Sequence, residues 1–175
     1  MNETTENKEK QDSSSKLIMI VDDDEQIIEY MTTLLQTEGF RTKAAMDGKI
    51  ALKRVNEEPV DLMLLDIMMP NKGGFEVLKQ LYGQNETRNI PVIVMTARRL
   101  DRSTMEMIKT EPNVREIVSK PVSPYSFRSK IHEMLNTVSP ADRKRMEEHQ
   151  KWEQETQQDR SLWELPPGFR KKRDE

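Results

Sequence analysis

Val60-Asp61-Leu62-Met63-Leu64-Leu65-Asp66-Ile67-Met68-Met69-Pro70 is the stretch on which the reading of this chain turns. Leu62 to Leu65 is a short continuous apolar run, the pattern of a strand buried on both faces. It ends on a carboxylate, Asp66, and Pro70 with the Gly73-Gly74 pair then bars the strand from continuing. In an open α/β sheet, ligands sit outside the carboxyl ends of the strands. A lone carboxylate there is as readily a helix cap or a turn residue. Asp66 does not stand alone.

Working outward, Leu17-Ile18-Met19-Ile20-Val21 is a second continuous apolar run, and it leads straight into Asp22-Asp23-Asp24-Glu25. Ile27, Ile28, Met31, Leu34 and Leu35 then fall on one helix face, with Asp24 placed as N-cap and Gly39 as terminator. Phe40 to Ala45 reads as a weaker, alternating strand. Asp47-Gly48 opens a helix with Ile50, Ala51, Leu52 and Val55 inward, closed before Pro59. After Asp66, a helix from about Gly74 turns Phe75, Leu78, Leu81 and Tyr82 inward. Ile90 to Met95 is another apolar strand, ending at Thr96. A poorly patterned polar helix spans Arg102 to Thr110 and is broken by Pro112. Glu116-Ile117-Val118 is a short strand ending at Ser119-Lys120-Pro121. Ser123-Pro124 marks N-cap and N1 of a last helix with Phe127, Ile131, Met134, Leu135 and Val138 inward. Five strands alternating with five helices imply an α/β fold, a doubly wound five-stranded parallel sheet covered on both faces.

Composition confines this domain to residues 17–138. Residues 1–16 hold no apolar residue after Met1 and are expected to be a disordered tail. Residues 139–175 form a charged C-terminal tail. Ser139-Pro140 starts a helix carrying only Met146 and Trp152 as large apolar residues to Arg160, so it is mostly solvated unless a partner covers it. An apolar-aromatic cluster of Leu162, Trp163, Leu165 and Phe169 follows, among breakers, and then Arg170-Lys171-Lys172-Arg173. That tail is too short for a second core. The chain has no Cys, which excludes disulfides and thiolate metal sites, and its two His argue against a His-rich centre. A net charge of −3 gives no global argument for nucleic acid or a membrane surface, and no apolar run spans a bilayer. The expected location is the cytoplasm. The 12 methionines read as core filling, Met68 and Met69 included.

In a parallel sheet, strands ending on Asp22-Asp23, Asp66, Thr96 and Lys120 bring those residues to one edge. Two carboxylates at ~4 Å repel by about 4 kcal/mol even at an effective dielectric near 20, so a cation must hold them together. Carboxylate oxygens without His or Cys select a hard ion, Mg²⁺ or Mn²⁺, which completes its shell with water and phosphate. Thr and Lys beside a metal suit phosphoryl oxygens. A carboxylate can itself be the nucleophile that forms an acyl phosphate. The constellation reads as an Mg²⁺-dependent phospho-aspartate site.

With Ile20-Val21-Asp22-Asp23-Asp24, Asp66-Ile67-Met68-Met69-Pro70 followed by Gly74-Phe75-Glu76, then Thr96-Ala97 and Lys120-Pro121, the chain resembles the receiver domains of two-component response regulators, from Leu17 to about Val138. The resemblance implies a flavodoxin-like domain of five βα units that takes a phosphoryl group from a histidine kinase or phosphotransfer protein. It implies Asp66 as phosphoacceptor, Asp23 as a direct Mg²⁺ ligand, Asp22 as a ligand through water, and the Met68 carbonyl as a further ligand. Thr96 resembles the switch hydroxyl and Lys120 the ammonium that pairs with the phosphoryl group, while Asp24 reads as a helix cap. One departure stands out: the family places an aromatic three residues before the Lys, where this chain has Ile117. Signalling is expected through a downstream protein bound at the Arg98–Pro121 face and the tail, as monomer or homodimer, with no nucleic acid and no output enzyme. A phosphorylation-independent interaction module is the alternative reading. An Asp-nucleophile phosphatase is less well matched, since Asp22-Asp23-Asp24-Glu25-Gln26 ends on Gln where that chemistry wants Thr or Val.

Overall fold

The apolar runs do form buried strands, and their burial on both faces follows from helices packing above and below them. The computed structural model describes residues 10–70, 73–97 and 100–162. The chain divides into two compact units, one ending at Ser139 and one beginning at Pro140.

In the first unit the main sheet comprises β2 (Leu17–Val21), β3 (Arg41–Ala45), β4 (Leu62–Asp66), β5 (Val92–Thr96) and β6 (Val114–Ser119). All pairs are parallel, and the order is β3-β2-β4-β5-β6. The chain steps to one side of β2 for β3 and to the other for β4. The gap between the ends of β2 and β4 is therefore the topological switch point, the place where a doubly wound sheet opens a crevice.

Helices α1 (Glu25–Thr37), α2 (Gly48–Val55), α3 (Gly74–Gly83), α4 (Arg102–Thr110) and α5 (Pro124–Leu135) connect the strands. Alternate strand residues face alternate layers. Met19, Val21, Met63, Leu65, Val92 and Val94 pack with Ala51, Val55, Val77, Leu78, Leu81 and Ile108, so α2, α3 and α4 cover one face. Ile18, Ile20, Leu62, Leu64, Ile93 and Met95 pack with Met31, Leu34, Leu35, Phe127 and Ile131, which puts α1 and α5 on the other.

The aspartate caps behave as their residue type requires, whereas Ser123 stands at the N-cap of α5 without a side-chain cap hydrogen bond. Asp24 accepts from the Gln26 N–H at 2.9 Å, Asp47 from the Ile50 N–H at 2.8 Å and Asp101 from the Thr104 N–H at 2.9 Å. Gly39 ends α1 at a φ of 84°, a backbone state that glycine enters without a Cβ penalty.

Several expectations need correction. The polar stretch through Lys16 is not wholly a disordered tail: Gln11–Asp12 forms β1, and Ser13–Ser15 a 3-10 turn. Its order comes from backbone pairing with β7 (Thr137–Val138), a source that composition does not display. Val138 accordingly lies in a strand, because α5 stops at Leu135 and Asn136 turns the chain in the left-handed region (φ 50°). Ile50 and Tyr82, expected inward, are exposed at the margins of their helix faces, where a 3.6-residue period is least decisive. Met68 is 50% exposed and is not core filling, whereas Met69 is buried.

In the second unit α6 (Pro140–Leu162) exposes Met146 and Trp152 and carries ion pairs such as Lys144–Glu148 at 3.9 Å and Lys151–Glu155 at 4.0 Å. Trp163, Leu165, Phe169 and the basic run 170–173 lie outside the described residues. Among the described residues, no helix is long and apolar enough to cross a membrane.

Gly74 sets how closely α3 approaches the central strand. A Cβ there would lie 2.3 Å from the Asp66 carbonyl oxygen and 2.7 Å from the Ile67 Cα, whereas one at Gly83 would meet nothing within 4 Å. Gly74→Ala should lower stability by roughly 2–3 kcal/mol through forced backbone displacement. Gly83→Ala should be neutral or stabilising by up to about 1 kcal/mol. Urea unfolding of both variants checks this contrast.

Candidate functional site

Each residue of the site is delivered by the end of a strand. Asp22 follows β2, Asp66 closes β4, Thr96 closes β5 and Lys120 follows β6. Asp22 and Asp66 flank the switch point between β2 and β4. Lys120 reaches them from β6 because its N–H donates to the Thr96 carbonyl at 2.8 Å, which ties the end of β6 to that of β5. The Lys120–Pro121 peptide is cis.

The Lys120 ammonium donates to Asp22 Oδ2 at 2.5 Å and to Asp66 Oδ2 at 2.7 Å, bridging the two carboxylates. The second oxygen of each is also engaged: Asp22 Oδ1 accepts the Asp24 N–H at 3.1 Å, and Asp66 Oδ1 accepts the Met68 N–H at 2.9 Å. Asp22, Asp66 and Thr96 are buried, and Asp23 is exposed beside them. Carboxylate oxygens of Asp22, Asp23 and Asp66 all lie within 4.8 Å of one another. That set, hard oxygens at a partly open edge without His or Cys, fits a small divalent cation that keeps some of its water.

The electrostatics follow from burial. Desolvation raises the Asp22 carboxyl above its ordinary value, and the Asp66 charge adds to this, while Lys120 and the Asp24 N–H pull the other way. For Lys120 desolvation acts to lower the pKa, yet the hydrogen bonds to Asp22 and Asp66 win and hold it above the usual lysine value. The cation is thus fully charged at neutral pH and neutralises a pair that would otherwise repel.

The structure brings together Asp22, Asp23, Asp66, Thr96 and Lys120. Met68 joins them through its backbone N–H, with its side chain projecting to solvent. Ile117 is not at this edge. It sits within β6 opposite Val94, half-buried and packed against the core on the α2–α3–α4 face. Sequence reasoning did not foresee the Lys120 bridge, having assigned the neutralising charge to a metal. The signal was available in the β6 end placing a lysine beside two carboxylates. Arg98, part of the expected partner-binding face, lies outside the described residues.

Comparison with known proteins places the arrangement. A sequence model described as the response regulator receiver domain matches residues 18–132. The chain is 32% identical over 114 residues to the phosphate regulon transcriptional regulatory protein PhoB of Escherichia coli, covering 65% of this chain and 49% of that protein. It is 37% identical over 103 residues to a probable cyclic di-GMP phosphodiesterase of Vibrio cholerae, covering 59% of this chain and 23% of that one. It thus spans half or less of these relatives' length. Among solved structures it is similar to the response regulator protein TrrA of Thermotoga maritima in complex with Mg²⁺ and BeF, at 30% identity and a TM-score of 0.60. That likeness covers 69% of this chain and 99% of that one.

Lys120→Met should remove the only positive charge that contacts both carboxylates among the described residues. Breaking a buried ion pair by deleting one partner costs about 3–5 kcal/mol. The loss should be full at neutral pH and shrink on acidification, as Asp22, whose carboxyl burial holds above its ordinary value, takes up a proton and the repulsion ends. Because the Lys120 pKa is raised on folding, its contribution in the parent chain should persist at neutral pH and fade only as pH rises through that raised value. Metal-free denaturant unfolding of parent and variant across pH tests both signs.

Proposed function

This chain belongs to the response regulator receiver domain family, and from that premise we propose that it accepts a phosphoryl group on Asp66. The donor is a phosphohistidine on a histidine kinase or phosphotransfer protein. An Asp66 carboxylate oxygen attacks phosphorus, the P–N bond breaks, and the histidine imidazole leaves with its electron pair. The product is an acyl phosphate on Asp66. The observation that carries this reading is the bridged pair itself: a buried strand-end carboxylate held by a lysine that can move from it to a phosphoryl oxygen.

The proposed roles follow from position. Asp23, Asp66 and the Met68 carbonyl would hold Mg²⁺, with Asp22 linked to it through water, and the bound ion would supply charge neutralisation for the phosphoryl oxygens. Asp22 and Asp23 present oxygens at the mouth of the crevice. Lys120 exchanges its bond to Asp66 for a phosphoryl oxygen, and its long flexible stem allows that short movement. Thr96, buried at the end of the neighbouring strand, offers a hydroxyl donor to a second oxygen. The output is a phosphorylation-dependent protein contact through the α4–β6 face.

Acetyl phosphate with Mg²⁺ should label the full chain once. Asp66→Asn should abolish the label, a chelator should prevent it, and Asp23→Asn should raise the Mg²⁺ concentration needed by about tenfold or more. Intact-mass analysis reads all arms, and label persisting in Asp66→Asn would exclude Asp66 as nucleophile.

For readout we propose that Thr96 and Ile117 form the output switch in a modified way. Ile117 is β-branched, stiff at χ1, and has no hydroxyl to draw it to solvent. Its packing against the core should persist in both states, and the change should fall on the loop after Thr96 and on α4, whose faces are mostly polar. Hydrogen exchange with and without beryllofluoride and Mg²⁺ should therefore change over 98–114 and stay level at Ile117. Deprotection at Ile117 of equal size would refute this division.

A further inference from the structure

The two flanks of the receiver meet at the edge of the domain opposite the site. Both lie outside the matched family region: β1 precedes it and β7 follows it. Gln11 and Asp12 pair in parallel with Thr137 and Val138, and the Gln11 N–H donates to the Asn136 carbonyl at 2.8 Å. Past β1, the Lys16 N–H donates to the Ser13 carbonyl at 3.0 Å and the Arg41 N–H to the Lys16 carbonyl at 3.0 Å, carrying the arm onto β3. Thr137 and Ser139 are buried although both are polar, and α6 begins at the next residue, Pro140.

From its other side Thr137 is held by a latch. His132 Nδ1 lies 2.8 Å from Thr137 Oγ1, and Nε2 lies 3.3 Å from Glu38 Oε2. Glu38 Oε1 also forms an ion pair with the Arg128 guanidinium at 3.1 Å, and the imidazole lies against the Phe40 ring at 4.8 Å between centroids. The latch belongs to α1 and α5, which are part of the folded core. The arm contributes a two-residue pairing, and a two-stranded element of that size is marginal by itself. Such pairings occupy the low end of local stability and open without global unfolding.

We propose that Gln11–Ser13 is an intramolecular strap. Paired with β7, it holds Thr137–Ser139, the stretch from which α6 departs, in a fixed strand. Released, it exposes that stretch while the five-stranded sheet stays intact. The strap makes the N-terminal arm a control point for the attachment of the C-terminal helix. It does not depend on the phosphoacceptor reading, and labelling of Asp66 neither supports nor overturns it.

Ser13 sharpens the inference. Its Oγ is buried and has no hydrogen-bond partner among the described residues, which opposes seating of the arm. Removing that hydroxyl should tighten the strap.

The test is hydrogen exchange of the full-length chain, read on peptides covering 136–139. Gln11→Pro deletes the N–H that bonds Asn136 and should speed exchange there by about tenfold or more, with the strands of the main sheet unchanged. Gln11→Ala keeps that N–H and should match the parent, and Ser13→Ala should slow exchange at 136–139 by up to about tenfold. The proposal is overturned by parent-like exchange in Gln11→Pro, by equal loss in Gln11→Ala, or by deprotection spreading through the main sheet.

Discussion

One ammonium, shared between two carboxylates, is the constraint around which the fold is arranged. Lys120 touches Asp22 and Asp66, which are 98 and 54 residues away in the chain. No local preference can create such a contact. It exists because β2, β4 and β6 run parallel and end at the same edge, and because β5 between β4 and β6 sets the distance that the lysine stem must span. Burial acts to lower the lysine pKa and to raise that of Asp22, so each charge is unfavourable without the other. The pair is therefore better understood as a held charge arrangement than as a source of stability. A divalent ion or a phosphoryl group entering the crevice competes for the same oxygens and the same cation.

Rigidity beneath the site makes that competition specific. The strands under Asp22 and Asp66 are fully buried and packed on both faces, so the carboxylates cannot retreat from one another by moving the backbone. Gly74 brings the first turn of α3 against the Asp66 carbonyl, and the Asp24 cap anchors α1 directly behind Asp22 and Asp23. On the proposed reading, a site on this platform would change by exchanging partners, with Lys120 and Thr96 as its adjustable members.

Much of this was legible in the sequence because the physics is local there. Short apolar runs ending on Asp or Thr specify buried parallel strands and what stands at their ends, and the brief Glu116-Ile117-Val118 run does the same for Ser119-Lys120 at the sheet margin. Asp24, Asp47 and Gly39 are read correctly because caps depend on single residues. What escaped depends on tertiary context. Ile50 and Tyr82 lie at the margins of amphipathic faces, where a small rotation exchanges core for solvent. Met68 is apolar yet exposed, since the loop that carries its N–H to Asp66 turns its side chain outward. The order of Gln11–Ser15 comes from backbone pairing with residues more than a hundred positions away, to which composition is blind.

The two ends of the domain differ in what they can do, and α1 and α5 join them. α1 leaves directly after the carboxylates and ends at Thr37, just before Glu38. α5 leaves just after Lys120 and ends at Leu135, three residues past His132 and near the latch. Each is about 18–20 Å long at 1.5 Å per residue. Contiguity of this kind does not itself make a signalling route, because coupling needs an element with two arrangements that both sites bias. The strands of the main sheet, buried and packed on both faces, offer only one arrangement. A two-residue pairing carrying a buried, unpartnered hydroxyl offers two. If exchange of partners at Lys120 is to be felt at the start of α6, the strap is where rigid displacement of α1 or α5 can become a change of state.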